Sequence, residues 1–561
     1  GVAATSDPLR PGSMVEVNGG AGLLTVEALV ADEGGRRYFR ARGAHGEGFT
    51  LVELAQANAL TLFQKLPDRR VLRMSAEVAV GGRTVRVYPR VSGITVREWV
   101  HDVTPPDPLD VLHWGIQLCE VVENIHGAGL CVYSLDPDAV LRTPSLDAVL
   151  VGLERLPHAG EPPLDVHTAT AAPEVVHRVA PLCGIPSDVY TVAAVIHAVL
   201  AGREFWPPPP GMSAVLVHQQ SPRTFRPELP LGIWPRLAPA LHPDPTRRMP
   251  HLAALKEALR GAQTAVQLRG SPARGVRVDG WQDTHIGVGK ARRGGVQQDR
   301  VYLEMTGEGA LAVGAVADGV SHAILGDGGT AAQHTAEAVS KVAQLVFDSV
   351  GQPRSQAERH GLLQQALDNA TDAICQDANT NYPPLTGDTS GVMASTLVMT
   401  LVEDGVASIL SVGDSRVYLF DGEVCEAVTV DHDRRTEAMR AGMDAFSAAS
   451  LEAGGALTRA VGRVLRDMDG RLVSSPSAGD YYDVPLLPGD RLLLCSDGLP
   501  DYALPLGQAA LSPCAVEDVL AEVLQRLPDP ASASHELIGL ANSNGGHDNV
   551  SVVLLVVREA P

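Results

Sequence analysis

Three apolar runs in the second half of the sequence stop at an aspartate, and a fourth follows one. Residues 311–317 lead into Asp318-Gly319, residues 407–413 into Asp414-Ser415-Arg416, and residues 492–496 into Asp497-Gly498. Asp548, in Gly545-Gly546-His547-Asp548-Asn549, immediately precedes the apolar run 550–557. An apolar run that ends at such a residue reads as a buried strand delivering a carboxylate to a turn. One Asp-Gly pair is ordinary turn chemistry; the recurrence is what matters. If these carboxylates converge, they repel one another and cannot all ionise without a compensating cation. An all-oxygen set favours a hard divalent ion, magnesium or manganese, whereas zinc or copper would call for thiolate or imidazole.

Seven stretches in chain order then carry a resemblance. Val296-Gln297-Gln298-Asp299, Val316-Ala317-Asp318-Gly319, Ala394-Ser395-Thr396-Leu397-Val398 and Ser411-Val412-Gly413-Asp414-Ser415-Arg416 come first. Ala456-Leu457-Thr458-Arg459-Ala460-Val461-Gly462, Cys495-Ser496-Asp497-Gly498 and His547-Asp548-Asn549 follow. Together they resemble the motif series of the metal-dependent protein phosphatases, the PP2C family. The resemblance implies an α-β-β-α sandwich of two antiparallel sheets with helices outside and metals where strand ends meet. It puts the bridging metal ligand on Asp318, with the Gly319 carbonyl beside it, and the other ligands of the first metal on Asp497 and Asp548. Asp414 with Asp497 would hold a weaker third ion, so the cofactors implied are two Mn²⁺ or Mg²⁺ ions, with a third in bacterial-type members. The activity implied is hydrolysis of phosphoserine or phosphothreonine in a phosphoprotein, a Ser/Thr kinase or its target, by a metal-activated water.

The sequence departs from that pattern in places. Gln298 stands where the family has glutamate, removing one negative charge beside Asp299, and Gln298, Asp299 and Asn549 are left as supports behind the ligands. Gly294 occupies the position of the phosphate-clamping arginine, with Arg292 and Arg293 as the nearby substitutes. Val320 replaces a histidine proton donor; His322 reads as structural, which leaves water to protonate the leaving group. Residues 435–477 correspond to the family's flap, and their many small side chains suggest mobility.

The elements that must position these residues follow from periodicity. Residues 396–402 and 407–412 form a hairpin across Glu403-Asp404-Gly405, and 329–350, 357–378, 515–527 and 532–541 have helical spacing.

The first half differs. A hairpin is expected over 23–31 and 36–42, a helix over 50–64, strands over 80–88 and 91–94, and a long helix from Asp107. Gly93–Trp99, Val122–Leu130, Tyr133–Leu141, Ala172-Pro173-Glu174, Ser187-Asp188-Val189-Tyr190 and Asp244–Arg248 are similar, in order, to landmarks of a two-lobed protein kinase. That resemblance places Ser134, Ala139 and Gly152 where a kinase has its catalytic aspartate, asparagine and metal-binding aspartate. The strand lysine is absent, with Arg40 or Arg42 nearby, and Gly19, Gly20 and Gly22 lack the phosphate-covering spacing. Without metal ligands the charge of a transferring phosphoryl group goes unneutralised, so this half reads as a pseudokinase with a ligand or protein partner of its own. Asp136 and Asp138 read as solvated loop carboxylates beside Pro137, and Trp206–Gly211 as a stiff surface loop.

Residues 261–275 mix Gly, Ser, Ala, Pro and Arg without an apolar period. The boundaries read from this are 1–262 for the kinase-like domain, 263–278 for a linker and 279–561 for the phosphatase-like domain, an α+β chain overall. A length of 561 residues exceeds one ordinary core. The net charge of −21 argues against nucleic acid as partner, since that affinity rests on phosphate neutralisation. A mean hydropathy of +0.04 and a polar, proline-containing start point to neither membrane nor signal peptide. Seven scattered cysteines without a Cys-x-x-Cys read as reduced thiols in the cytoplasm, and alanine richness with heavy use of arginine over lysine suggests a GC-rich genome. The competing reading is a scaffold in which both halves are catalytically inactive, the Gln298 change having disabled the metal pair.

Overall fold

The computed structural model describes residues 8–561 except 18–21, 34, 56–67, 103, 154–155, 164, 180–183, 272–274, 307, 350, 383–388, 390, 476–477 and 509–511. The chain divides into two compact units, Gly1–Pro222 with Leu237–Gln263, and Arg223–Arg236 with Thr264–Pro561.

The first unit is mixed and β-rich. Strands β1 (Met14–Val17), β2 (Gly22–Glu33), β3 (Arg36–Arg42), β4 (Gly48–Leu54), β5 (Ala76–Val80) and β6 (Arg83–Pro89) form a sheet in the order β1-β2-β3-β4-β6-β5. A small sheet of β7 (Ile94–Thr95), β8 (Val140–Arg142) and β9 (Ala148–Leu150) accompanies the helices Pro108–Gly127 and Ile185–Ala201. Asp107 caps the first of these by accepting the Leu109 and Asp110 N–H groups, with Pro108 at its first position.

Several local expectations are corrected. Residues 50–54 are the end of β4, a central strand paired with β3 on one side and β6 on the other, so ladder bonding overrides the helical spacing. Residues 56–64 of that expected helix, Gly19 and Gly20 lie outside the described residues. The strand expected over 80–88 is two, turning at Gly81 and Gly82, whose φ values of 56° and 78° suit glycine. The strand expected at 91–94 begins only at Ile94. Asp138 is not solvated: it is buried, with Arg97 Nε 3.1 Å from both its oxygens. Asp136 accepts from Tyr38 Oη at 2.7 Å and from the Asp138 N–H at 2.9 Å. Helix Leu252–Gly270 runs through the first ten residues of the stretch that had no apolar period.

In the second unit, β10 (Val276–His285), β11 (Asp299–Met305), β12 (Leu311–Asp318), β13 (Leu397–Glu403), β14 (Val406–Val412), β15 (Arg416–Phe420), β16 (Cys425–Ala427), β17 (Val464–Arg466), β18 (Leu472–Ser474), β19 (Asp480–Pro485), β20 (Arg491–Cys495) and β21 (Val550–Glu559) follow in sequence. Two five-stranded antiparallel sheets result, β10-β21-β20-β15-β16 and β11-β12-β13-β14-β19; β17 and β18 pair separately. Val316, Val398, Ile409, Val417, Leu494 and Val553 fill the space between the sheets. Helices Gly328–Asp348 and Gln356–Asn381 cover one outer face through Val339 and Leu367 against Val313 and Met399. Helices Ala515–Arg526 and Pro530–Ser543 cover the other through Leu524 and Leu537 against Leu493 and Val552. Both faces of each inner strand are therefore apolar, which is why these strands read as unbroken runs.

Residues 223–236, inside the stretch read from sequence as the first domain, are built into this unit. The buried Arg223 guanidinium donates to the Ala427 and Val428 carbonyls at 2.6 and 2.7 Å, and the Gly232 N–H to Glu426 Oε2 at 2.6 Å. Arg236 pairs with Asp421 at 2.9 Å and Glu423 at 2.7 Å.

Candidate metal centre

Strand register brings the carboxylates together. Asp299 opens β11 directly opposite Asp318 at the end of β12. β13 and β14 pair so that Val412, two residues before Asp414, faces Leu397. β20 ends at Cys495, paired with Val552 of β21, so that Asp497 and Asp548 leave adjacent strands at the same end.

The carboxylates also act on one another electrostatically. Burial raises Asp318 well above the carboxylate range, and the charges of Asp299, Asp497 and Asp548 raise it further. Asp497 is raised well above it too, by burial and then by Asp414, Asp501 and Asp548. Burial outweighs the hydroxyls of Ser551 and Ser496 in raising Asp299. Asp414 is pushed up to about 6 by burial and Asp431. Each shift states that a negative charge here lacks compensation.

The hydrogen bonds agree. Asp299 Oδ2 accepts from Ser496 Oγ at 2.8 Å and Ser551 Oγ at 2.6 Å, while its Oδ1 is buried with no partner. Asp497 Oδ1 is likewise buried and partnerless. Orphaned carboxylate oxygens inside a carboxylate cluster fit a hard cation. The loop at Gly319 is closed tightly enough that a Cβ there would lie 2.0 Å from the Gly328 carbonyl oxygen, so Gly319 is required beside Asp318.

Asn549 is the hub behind the cluster. Its Nδ2 donates to the Ile286 and Val296 carbonyls at 2.9 and 3.3 Å; its Oδ1 accepts the Gln298 N–H at 3.0 Å and Lys290 Nζ at 2.8 Å. Gln298 Oε1 accepts from Ser321 Oγ at 3.1 Å.

The basic residues differ from expectation. Arg292 is exposed without a hydrogen bond or ion pair among the described residues, and Arg293 Nη2 donates to the His547 carbonyl at 3.1 Å. Lys290 reaches the cluster instead, its Nζ 3.0 Å from Asp548 Oδ1. Sequence reasoning missed it; the available signal was that an arginine-rich chain keeps one of its four lysines here. Asp501 was also passed over, although it sits four residues after Asp497 on the helix Gly498–Tyr502 and burial raises it as well. A third missed residue is His432, buried, whose Nδ1 accepts the Gly413 N–H at 3.0 Å beside Asp414. Its Nε2 lies 2.8 Å from Asp480, which Arg440 also binds at 2.7 Å. His322 is exposed.

In the first unit, Ser134 Oγ accepts the His167 N–H at 3.0 Å, Ala139 is buried, and Gly152 has φ 82°. Arg40 pairs with Glu98 at 2.9 Å and Arg42 with Glu27 at 2.6 Å. His126, Cys131 and Asp188 lie within 4.8 Å of one another, but Asp188 already takes the Val132 and Tyr133 N–H groups at 2.8 and 2.7 Å.

Residues 286–540 match the family described as Protein phosphatase 2C. Among curated proteins the chain is 30% identical over 164 residues to the serine/threonine phosphatase stp of Listeria innocua, covering 29% of this chain and 56% of that one. It is 27% identical over 168 residues to the protein phosphatase PhpP of Streptococcus pneumoniae, 30% of this chain and 59% of that one. It is 32% identical over 163 residues to the serine/threonine protein phosphatase PstP of Mycobacterium tuberculosis, 29% and 27% respectively. The chain thus spans under two thirds of the length of these relatives. A solved Streptococcus agalactiae serine/threonine phosphatase aligns over 50% of this chain and 99% of its own at 22% identity and a TM-score of 0.37. The kinase-like reading of the first half gains no support from these matches, since the family match begins at residue 286. No helix among the described residues is long and apolar enough to cross a membrane.

Proposed function

With residues 286–540 forming a protein phosphatase 2C domain, we propose that this chain hydrolyses phosphoserine or phosphothreonine in phosphoproteins, a Ser/Thr kinase or its target among them. The observation that carries the reading is the pair of buried, partnerless oxygens on Asp299 and Asp497 within the aspartate cluster. Asp318, the Gly319 carbonyl, Asp497 and Asp548 are the residues that would hold two Mn²⁺ or Mg²⁺ ions, with Asp414 and Asp497 for a third. Bound there, divalent ions supply a nucleophilic water at neutral pH and neutralise charge developing on phosphorus. Asp299 and Asn549 hold the ligands in place from behind. Lys290, ahead of Arg292 and Arg293, is assigned to the phosphate oxygens, because its ammonium already sits on the cluster. The six described cysteines are buried and unpaired, which suits the reducing cytoplasm.

The first unit is proposed as a kinase-like fold without phosphoryl transfer, which regulates the phosphatase or recruits its substrates through a ligand or partner of its own. Support comes from contacts that tie its landmarks together: Glu174 accepts from Arg248 at 2.7 and 3.1 Å and from Ser187 Oγ at 2.8 Å, and Asp188 holds the backbone at Val132 and Tyr133. A second reading, an inactive phosphoprotein-binding scaffold, is favoured by Lys290 alone, since an ammonium on Asp548 could substitute for a metal's charge. Hydrolysis of a phosphothreonine peptide by the full chain separates the two. Turnover with Mn²⁺ that falls to the EDTA level in Asp318→Asn establishes the phosphatase; no turnover and no bound Mn²⁺ establishes the scaffold.

A further inference from the structure

Beyond the aspartate cluster, the β17–β18 hairpin and the C-terminal end of helix Gln356–Asn381 border an open pocket of about 250 Å³. Leu325, Tyr382, Arg466, Asp469 and Arg471 are among its walls. The walls are held in place: Asn379 Nδ2 donates to the Leu472 carbonyl at 2.7 Å, and its Oδ1 accepts the Leu472 N–H at 2.9 Å.

Two arginines line the pocket, Arg466 with buried donors and Arg471 exposed at its edge. Arg466 donates from Nη1 to the Gly470 carbonyl at 2.8 Å, but its Nε and Nη2 are buried with no acceptor. The Arg471 guanidinium has no hydrogen bond or ion pair among the described residues. Arginine cannot shed its proton in a protein, so the buried Nε and Nη2 of Arg466 call for an acceptor from outside, and the exposed Arg471 adds a second positive charge beside them. Asp469 is the one acid among the described wall residues, beside these two arginines. The planar fork of arginine matches a phosphate or carboxylate, and Leu325 and Tyr382 add apolar surface for the chain that carries it.

The cavity is linked to the metal centre by short paths. Leu325 lies seven residues after Asp318, and Val461, three residues before β17, exchanges backbone hydrogen bonds of 2.7 and 3.1 Å with Ser395. Ser395 in turn bridges Gly319.

We propose that this cavity is an oxyanion subsite that receives an acidic or phosphorylated side chain flanking the phosphoresidue of the substrate, an assignment that rests on the phosphatase reading for its source of ligand. Two measurements on the full chain test it. In EDTA, inorganic phosphate at millimolar concentration should raise the thermal midpoint of the protein, and the rise should vanish in Arg466→Met/Arg471→Met. With Mn²⁺, phosphothreonine peptides with acidic flanks should be cleaved about tenfold better in kcat/KM than neutral ones, the preference falling to about one in the double variant. Unchanged turnover of p-nitrophenyl phosphate by that variant shows that the fold and the centre are intact. A phosphate response without a peptide preference assigns the subsite to a free anion instead of a substrate side chain and overturns the substrate assignment. Absence of both effects overturns the site itself. Absence of turnover by the unmodified chain on every substrate counts against the phosphatase reading alone, since the phosphate response in EDTA does not depend on it.

Discussion

Buried carboxylates occur in both units, and their partners separate two kinds. In the first unit Glu174 takes both arms of Arg248, and Asp188 takes two backbone N–H groups and faces His126 at 2.8 Å. Both of these carboxylates are answered within the fold. In the second unit Asp299 and Asp497 each keep a buried oxygen without one, and Asp318 is surrounded by three other aspartates. Satisfied carboxylates hold a structure together; unsatisfied ones mark where something else must bind.

The comparison is broken or sharpened by removing members of each kind. The largest effect is expected at the unsatisfied set: Asp497→Asn should lower phosphopeptide turnover with Mn²⁺ by about ten-thousandfold, while leaving the urea midpoint equal or higher because a repelling charge is gone. Glu174→Ala should do the reverse, costing about 3–5 kcal/mol in urea unfolding by stranding the buried Arg248. Its Mn²⁺ affinity should be unchanged.

Glu426 is an intermediate case. Burial raises it to about 7 against the opposing charge of Arg223, and its Oε1 has no partner. A folded-state value above the unfolded one near 4.5 means that this group's contribution is fully present below about pH 4.5 and is lost as pH rises through 7. The loss is on the order of 3 kcal/mol, read as urea stability against pH, and Glu426→Gln should flatten that slope. The smallest effect is expected at Lys290: Lys290→Met should raise KM for a phosphopeptide about tenfold, with Lys290→Arg recovering part of it.

Much of the second unit was legible in the sequence because its strands are covered on both faces. An apolar run such as 311–317 admits few other readings, and its abrupt end locates Asp318. The hairpin of β13 and β14 was equally plain, since Asp404 and Gly405 adopt φ 49° and 72° in its turn. What failed was decided by contacts remote in sequence. Lys290 meets Asp548 across 258 residues, and Asp138 is buried by Arg97 from 41 residues away. Residues 50–54 carry apolar side chains at spacings that suit a helix or a strand, and only pairing on both edges chooses. Nothing local announces that 223–236 belongs with β16; Arg223 reaches the Ala427 carbonyl over 204 residues.

The most direct test of the account is calorimetric titration of Mn²⁺ into the metal-stripped full chain, its Asp318→Asn/Asp497→Asn variant and Asp188→Asn. The account predicts binding to the unmodified chain and to Asp188→Asn, and none at the centre in the double variant. Equal Mn²⁺ binding by the unmodified chain and the double variant, or none by either, would contradict it.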